Sequence, residues 1–404
     1  MALPVYLYVT PFFPSPDSWR GGYCFDFVKG LMRIGKYDVH VFVGGDGRDY
    51  EYEGLVVHTF PIRRLPSNVL PFLFRRKNAR NFLKKVAECG IQIEDVTVCH
   101  ANTANYGIYP LAIKAVNRKC LTLLHHHDPQ SFGLNNGIFS HCWPYNVLQY
   151  PLLRRMHERI DCHVFISEQV RRSFLAVPDA SWTEYGYYKK QMRGLGFYRS
   201  PKIRRSIILH NGVDISIFRS PLSQRINNTT FTIGCIGNFA DWKGQSDLIA
   251  AFNILVQKGI GDIKLRFVGS GPCLERCKCQ VKAYGLEKQI VFEKECHHSY
   301  LPQFYASLDL FVLPSWFEGF GCVFMEAWSC GVPFITCEGQ GIEDLIPDEE
   351  KSHWLCRQRD PKDLASKIMG YFNRRYKQSL SGPIAIDELV SNYVAELEKV
   401  ECAM

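Results

Sequence analysis

Several features that would direct a chain elsewhere are missing from this one. The first residues, MALPVYLYVTPFFP, contain no basic segment ahead of an apolar core, so no secretory leader is expected. No apolar run of roughly 18 residues occurs, so no membrane-spanning helix is expected. No Asp-x-Asp is present anywhere, so a carboxylate clamp for Mg²⁺ or Mn²⁺ has no evident ligands and no metal is expected. The 16 cysteines follow no framework. Cys277 and Cys279 stand too close for a zinc pair, and no second pair follows. Without an export signal, free thiols in a reducing cytosol are expected. In that compartment the sequon Asn228-Thr229-Thr230 carries no meaning.

What is present is a chain of 404 residues, enough for two domains of about 200 each. Its charge is uneven. Residues 1–205 hold 28 Lys and Arg against 16 Asp and Glu, whereas residues 206–404 hold 20 against 24. The basic first half either suits an anionic partner, a membrane surface or a phosphorylated acceptor, or is simply a basic domain. No nucleic-acid partner is expected.

The opening reads as a doubly wound α/β pattern. A strand from Val5 to Val9 meets a Pro/Gly/Ser loop, then a helix from Phe25 to Ile34, then a strand from Val39 to Val43. Gly21-Gly22 opens the helix, either as a phosphate or acceptor contact or as a plain entry turn. Leu65 to Glu88 interleaves Arg75, Arg76, Lys77, Arg80, Lys84 and Lys85 with Phe72, Leu73, Phe74, Phe82 and Leu83. It is either a lipid-lying amphipathic stretch or a solvated helix with a buried face. A strand from Leu121 to Leu124 leads into His125-His126-His127-Asp128. Neighbours on a strand point to opposite faces, so three histidines in a row are not metal-ligand spacing. Ser167 is a natural N-cap for the helix after it. Tyr185 to Arg205 is a tyrosine-rich, basic loop before the domain junction.

The second half is organised around Leu308 to Leu345. An apolar strand, Leu308 to Leu313, ends at Pro314-Ser315. A loop from Trp316 to Phe320 follows, then a helix from Cys322 to about Ser329 with Val323, Phe324, Ala327 and Trp328 on one face. Val332 to Thr336 is the next strand. Glu318 and Glu326 thus flank a helix start. The free N–H groups and dipole there favour phosphate, and a carboxylate about one turn inside suits vicinal hydroxyls.

E-G-F-G and E-A-x-x-x-G-x-P resemble the Glu-x7-Glu segment of the retaining GT-B glycosyltransferases, in particular glycosyltransferase family four. The resemblance covers nearly the whole chain. Asn211-Gly212-Val213-Asp214 resembles the family hinge, Lys243-Gly244 its phosphate loop, and Gly269-Ser270-Gly271-Pro272 its nucleotide turn. That last turn lacks the third glycine of a dinucleotide fingerprint. The resemblance implies two facing doubly wound, Rossmann-like domains with an interdomain cleft. Residues 1–205 would bind acceptor and 206–385 the nucleotide sugar, with 386–404 a helix packing back toward the first domain.

It implies catalytic roles for His127, Lys243 and Glu318, with His126 the second choice at the first position. Donor contacts would come from Gly21, Gly22, Asn238, Lys243, Gly269, Gly319, Phe320, Gly321 and Glu326. Within these, Glu318 would touch the sugar, Glu326 the ribose, and the amides of Gly319 to Gly321 the diphosphate. Asn238 departs from the pattern, because the family carries Arg there; Lys294, replacing a family glycine, is the candidate compensating cation.

The expected activity is metal-independent, retaining transfer of a hexosyl or N-acetylhexosaminyl group from a nucleotide-diphosphate sugar to a glycan or lipid-linked acceptor, in cell-surface polysaccharide synthesis. It would occur in the cytoplasm, with peripheral association at the inner face of the membrane. The alternatives are a non-catalytic nucleotide-sugar-binding protein and a glycan synthase or phosphorylase of the same fold. The latter is disfavoured by the short chain and the absence of a cofactor-lysine signature.

Overall fold

A computed structural model describes residues 3–16, 18–19, 21–65, 72–127, 150–175, 201–218, 230–374, 376 and 384–402. Asp128, residues 185–200 of the tyrosine-rich stretch and residues 228–229 of the sequon fall outside these. The chain divides into two units, Met1–Gly212 with Ile386–Met404, and Val213–Ala385.

The described part of the first unit is built on eight strands, β1 Val5–Thr10, β2 Asp38–Gly45, β3 Tyr50–Tyr52, β4 Leu55–Pro61, β5 Val96–Asn102, β6 Leu121–His126, β7 Cys162–Phe165 and β8 Ser206–Ile208. They lie in the order β3-β4-β2-β1-β5-β6-β7-β8, with only β3 antiparallel. Strands such as Val96–Asn102 and Leu121–His126 are buried nearly throughout, as parallel strands covered on both faces must be. Helices α1 Gly22–Ile34, α2 Arg75–Glu88, α3 Ile108–Val116, α4 Tyr150–Arg159 and α5 Glu168–Phe174 belong to this unit. Ser167 caps α5, its side chain accepting from the amide of Val170 at 3.1 Å.

The second half of the basic stretch is a helix with a buried face. Phe82 and Val86 of α2 are fully buried in a core with Phe42, Phe60 and Tyr109, so these two side chains are not available to lipid. The expected division after residue 205 moves to Gly212, because Ser206–Ile208 pairs with β7 as a strand of the first sheet.

The second unit carries β9 Phe231–Ile236, β10 Ile263–Val268, β11 Ile290–Glu293, β12 Leu310–Leu313, β13 Phe334–Cys337 and β14 Leu355–Cys356. All pair in parallel, in the order β11-β10-β9-β12-β13-β14. The order reverses between β9 and β12, the place where open parallel sheets bind ligands outside their carboxyl ends. Its helices are α6 Gln245–Gln257, α7 Leu274–Tyr284, α8 Leu301–Ala306, α9 Cys322–Ser329, α10 Lys351–Trp354 and α11 Pro361–Phe372. The buried residues of α9 are Phe324, Met325, Glu326 and Ala327. Val323 and Trp328, expected on the buried face, are only half-buried. Phe324 sets the rotation, its ring packing 5.8 Å from Phe311 and 5.0 Å from Phe334. Burying such a ring contributes about 1.5–3 kcal/mol.

The last helix, α12 Ile386–Cys402, belongs to the first unit. It lies on α1, where a Cβ at Gly30 would stand 2.9 Å from Val390. Arg33 pairs with Asp387 at 2.6 Å and Lys36 pairs with Glu398. Tyr393 reaches into the sheet, its hydroxyl 2.7 Å from that of Tyr6. Among the described residues, no helix is long and apolar enough to cross a membrane.

Candidate active site

In the second unit, the loops leaving β9 and β12 lie against each other at the strand-order reversal. The amide of Trp316 donates to the carbonyl of Trp242 at 2.9 Å. A Cβ at Gly244 would stand 2.2 Å from the carbonyl oxygen of Pro314, so no larger residue permits this approach. The turn after β10 closes the same end. A Cβ at Gly269 would meet the carbonyl of Gly237 at 2.2 Å, and one at Gly271 the Asn238 Oδ1 at 2.1 Å.

This packing brings together two of the residues singled out by sequence. Lys243 Nζ forms an ion pair with Glu318, and the two side chains are only 20% and 16% exposed. Glu318 is held from behind, its amide donating to Gln340 Oε1 at 2.7 Å. Gln340 is buried and follows β13.

Gly319 and Phe320 are buried, and Gly321, with φ of 82°, precedes the first residue of α9. Glu326 sits one turn inside and is itself buried. Tyr305 donates to its Oε2 at 2.8 Å, and His298 Nε2 lies 3.2 Å from its Oε1. Burial, then the Glu326 carboxylate, pushes the Tyr305 hydroxyl well above its ordinary pKa, so this group stays a donor. The two partners hold the carboxylate in one orientation. Each carboxylate oxygen keeps a further lone pair for a hydroxyl.

Asn238 is exposed on the turn after β9. The stretch that carries Lys294 runs past the same turn, because the Phe292 ring lies 5.9 Å from that of the adjacent Phe239 and Ser270 donates to Glu295. Lys294 follows β11, the edge strand, two places from β9. Two further cations reach this loop, Arg276 at 2.7 Å from Asp241 and Arg359 at 4.0 Å from it. Arg359 also lies over the Trp316 ring at 5.0 Å.

In the first unit, Gly21 adopts φ of 89° at the head of α1, and Gly22 packs against Trp19. The next residue, Tyr23, places its ring 4.6 Å from that of His127. The helix start and His127 therefore lie together. His127 Nε2 is 2.9 Å from Asn102 Oδ1. An amide oxygen only accepts, so Nε2 carries the hydrogen and Nδ1 the lone pair. That Nδ1 is buried and has no hydrogen-bond partner among the described residues. Burial pushes the His127 pKa down to about 3, so the ring is a neutral acceptor at physiological pH. The alternation along β6 is as expected. The ring of His127 lies 4.0 Å from that of His125, while His126 turns to the other face toward Phe165 and Phe174.

Sequence reasoning missed Tyr305, His298 and Gln340. Their roles come from side chains meeting across 21, 28 and 22 positions, and no local pattern marks them. It also missed Asn102, although a polar residue ending a buried strand is a usable signal.

The model of the glycosyl transferases, group 1, matches residues 218–379, and that of glycosyltransferase family 4 matches residues 21–181. A capsular polysaccharide biosynthesis glycosyltransferase of Staphylococcus aureus, CapM, is 30% identical over 191 residues, 44% of this chain and 49% of that protein. A sulfoquinovosyl transferase of Arabidopsis thaliana is 30% identical over 135 residues, 33% of this chain and 26% of its own length. The alignments thus span at most about half of these two curated relatives. Among solved structures, a sucrose-phosphate synthase from Thermosynechococcus elongatus superposes with a TM-score of 0.67 at 18% identity, covering 99% of this chain and 97% of its own. The Anabaena protein HepE, in complex with UDP and glucose, superposes with a TM-score of 0.65 at 17% identity, covering 97% and 99%. The shared fold is GT-B, two parallel-sheet Rossmann-like domains.

Proposed function

Because this chain belongs to the group 1 glycosyl transferases, with the family 4 pattern across its first half, we propose that it transfers a hexosyl or N-acetylhexosaminyl group from a nucleoside-diphosphate sugar to a hydroxyl of a glycan or lipid-linked acceptor. The transfer retains configuration and needs no metal. Capsular and lipopolysaccharide core biosynthesis, named for two relatives, supports a role in cell-surface polysaccharide.

The observation that carries the reading is the Lys243–Glu318 pair at the carboxyl ends of β9 and β12. In the reaction the bond from sugar C1 to the β-phosphate oxygen breaks and the acceptor oxygen bonds to C1. The acceptor proton goes to the departing phosphate. Negative charge grows on that phosphate, and a fixed cation is most useful where charge grows. Lys243 supplies it. Glu318, released from Lys243, accepts from sugar hydroxyls, and Glu326, braced by Tyr305 and His298, accepts from the ribose. His127 offers its Nδ1 lone pair to a hexose hydroxyl.

For the acceptor, Arg75, Arg76, Arg155 and Arg159 line a cavity of about 340 Å³ in the first unit, with Phe72, Leu111 and Met156 also on its wall. Guanidinium groups beside apolar surface suit a phosphate joined to a lipid tail.

The test is to incubate the protein with a panel of nucleotide sugars, UDP-hexoses first, and measure released nucleoside diphosphate with and without Mg²⁺, Mn²⁺ and brief chelator. Slow, metal-indifferent hydrolysis is expected. A strict metal requirement removes the mechanism, release only with inorganic phosphate indicates a phosphorylase, and no release with any donor indicates a binding protein.

A further inference from the structure

On the face of β6 opposite His127, three imidazoles converge. His126, His157 and His163 come from β6, α4 and β7, and all are buried. One ligand nitrogen of each lies within 4.8 Å of the others. Their ring centroids form a near-equilateral triangle with sides of 5.2, 5.5 and 5.8 Å, and their planes differ by 14–28°. The rings of His126 and His163 meet edge to edge, because His126 Nε2 stands 2.9 Å from His163 Nδ1.

The second contact of His163 settles its tautomer. Its Nε2 lies 3.1 Å from the carbonyl oxygen of His157. A carbonyl only accepts, so Nε2 holds the hydrogen and Nδ1 presents its lone pair toward His126. A backbone carbonyl behind the distal nitrogen is what orients metal-binding histidines elsewhere. His126 Nδ1 is buried without a hydrogen-bond partner among the described residues. It is free to take the ring hydrogen if Nε2 gives it up to bind an ion. With metal–nitrogen bonds of about 2.0–2.1 Å, two tetrahedral ligand nitrogens stand roughly 3.3–3.4 Å apart. Opening the 2.9 Å contact by about half an ångström, with the His157 nitrogen, which lies within 4.8 Å of the other two, drawn to the same spacing, admits an ion.

We propose that His126, His157 and His163 are the protein ligands of a buried site for a closed-shell cation of borderline to soft character, zinc(II) or copper(I). The donor set is neutral imidazole with no carboxylate, which suits these ions and not Mg²⁺ or Ca²⁺. The site stitches β6, β7 and α4 together. It is independent of the proposed transfer chemistry, because it lies on the other side of the sheet from His127.

The experiment uses the full chain, purified without a polyhistidine tag or chelator, with metal content read by mass spectrometry. About one zinc or copper per chain is expected, the element found deciding between the two. His157→Phe and His163→Phe, which keep ring-sized side chains in place, should lose at least nine-tenths of it. His58→Phe, outside the cluster, should keep it. Adding zinc chloride to dialysed wild type should raise Tm by several degrees and leave the two cluster variants unmoved. If those variants do not fold, wild type alone decides, by titration with zinc chloride or copper(I) against a chromophoric chelator. One equivalent bound supports the site. Binding of neither ion, or full metal retained in folded cluster variants, overturns it.

Discussion

Lys243 and Glu318 close an ion pair between the loops that leave β9 and β12, joining residues 75 positions apart. Each charge neutralises the other in the ligand-free site. On the proposed reading, a diphosphate arriving at Lys243 would compete with Glu318 for it and set that carboxylate loose for hydroxyls. Removing the lysine thus does two harmful things, since it deletes the cation and leaves an unpaired anion. Lys243→Ala should lower kcat by about 10²–10³-fold, the cost typical of a lost oxyanion partner. Glu318→Gln added to it should cost less than the product of the single effects, because the repulsive carboxylate is gone. Steady-state release of nucleoside diphosphate reads both. Wild-type turnover in Lys243→Ala moves the diphosphate elsewhere.

Glu326 and Tyr305 should separate binding from stability. Glu326→Ala should weaken donor affinity by about 1.5–3 kcal/mol per charge-assisted bond lost, measured by calorimetry with the nucleoside diphosphate. Tyr305→Phe leaves Glu326 Oε2 without its 2.8 Å donor. It should lower unfolding free energy by about 1–3 kcal/mol in urea. Unchanged donor affinity in Glu326→Ala would make that residue structural.

The first unit should be acid-sensitive through His100. This ring is buried, its Nδ1 lying 2.6 Å from the Tyr6 hydroxyl and 3.2 Å from that of Tyr393. Burial, helped by His127, lowers its pKa from 6.5 to about 3. Above the unfolded pKa of about 6.5, both states are neutral and the contribution is complete. As pH falls below that, the unfolded chain takes a proton the folded chain refuses. Stability then drops by about 1.4 kcal/mol per pH unit from this residue, until the pH approaches the folded pKa. In His100→Gln, unfolding free energy plotted against pH over this window should have a shallower slope. An unchanged slope removes the assignment.

The arginine-lined cavity should recognise anionic lipid. Each basic residue near such a surface is worth about 1 kcal/mol. Neutralising Arg75, Arg76 and Arg155 should therefore lower co-sedimentation with phosphatidylserine vesicles by roughly two orders of magnitude at low salt. Binding that ignores these changes, or ignores ionic strength, counts against the cavity as a headgroup site.

What could be read in advance follows from where the information lies. Buried parallel strands announce themselves as apolar runs, so β1, β9 and β10 were legible to within a residue or so, as was Ser167 at its cap. Glu318 and Glu326 were legible because a loop and one helix set their spacing. Gln340 behind Glu318 and Tyr305 behind Glu326 were not, since each contact depends on how separate strands are ordered in the sheet. The same ordering explains Lys294. Its replacement of a glycine is visible in the sequence, but only the sheet order shows β11 at the edge, and only the fold brings Arg276 and Arg359 to Asp241 on the Asn238 loop. His126 was rejected as a metal ligand on the alternation of its own strand. That argument is sound for neighbours and silent about His157 and His163.

The helix α12 completes the first unit only after the whole of the second has been made. During synthesis, Gly30 of α1 waits 360 residues for Val390 and the Tyr6 hydroxyl 387 for Tyr393, a separation carried by the chain itself. Domains emerging from a ribosome ordinarily fold in the order they are made. Here Val213–Ala385 is contiguous and finishes first, while the earlier-made unit stays open along α1. A chaperone that shields apolar helix faces would find its substrate in that interval. A nascent chain stalled before Ile386 should protect the second unit from protease and leave the first one cleavable.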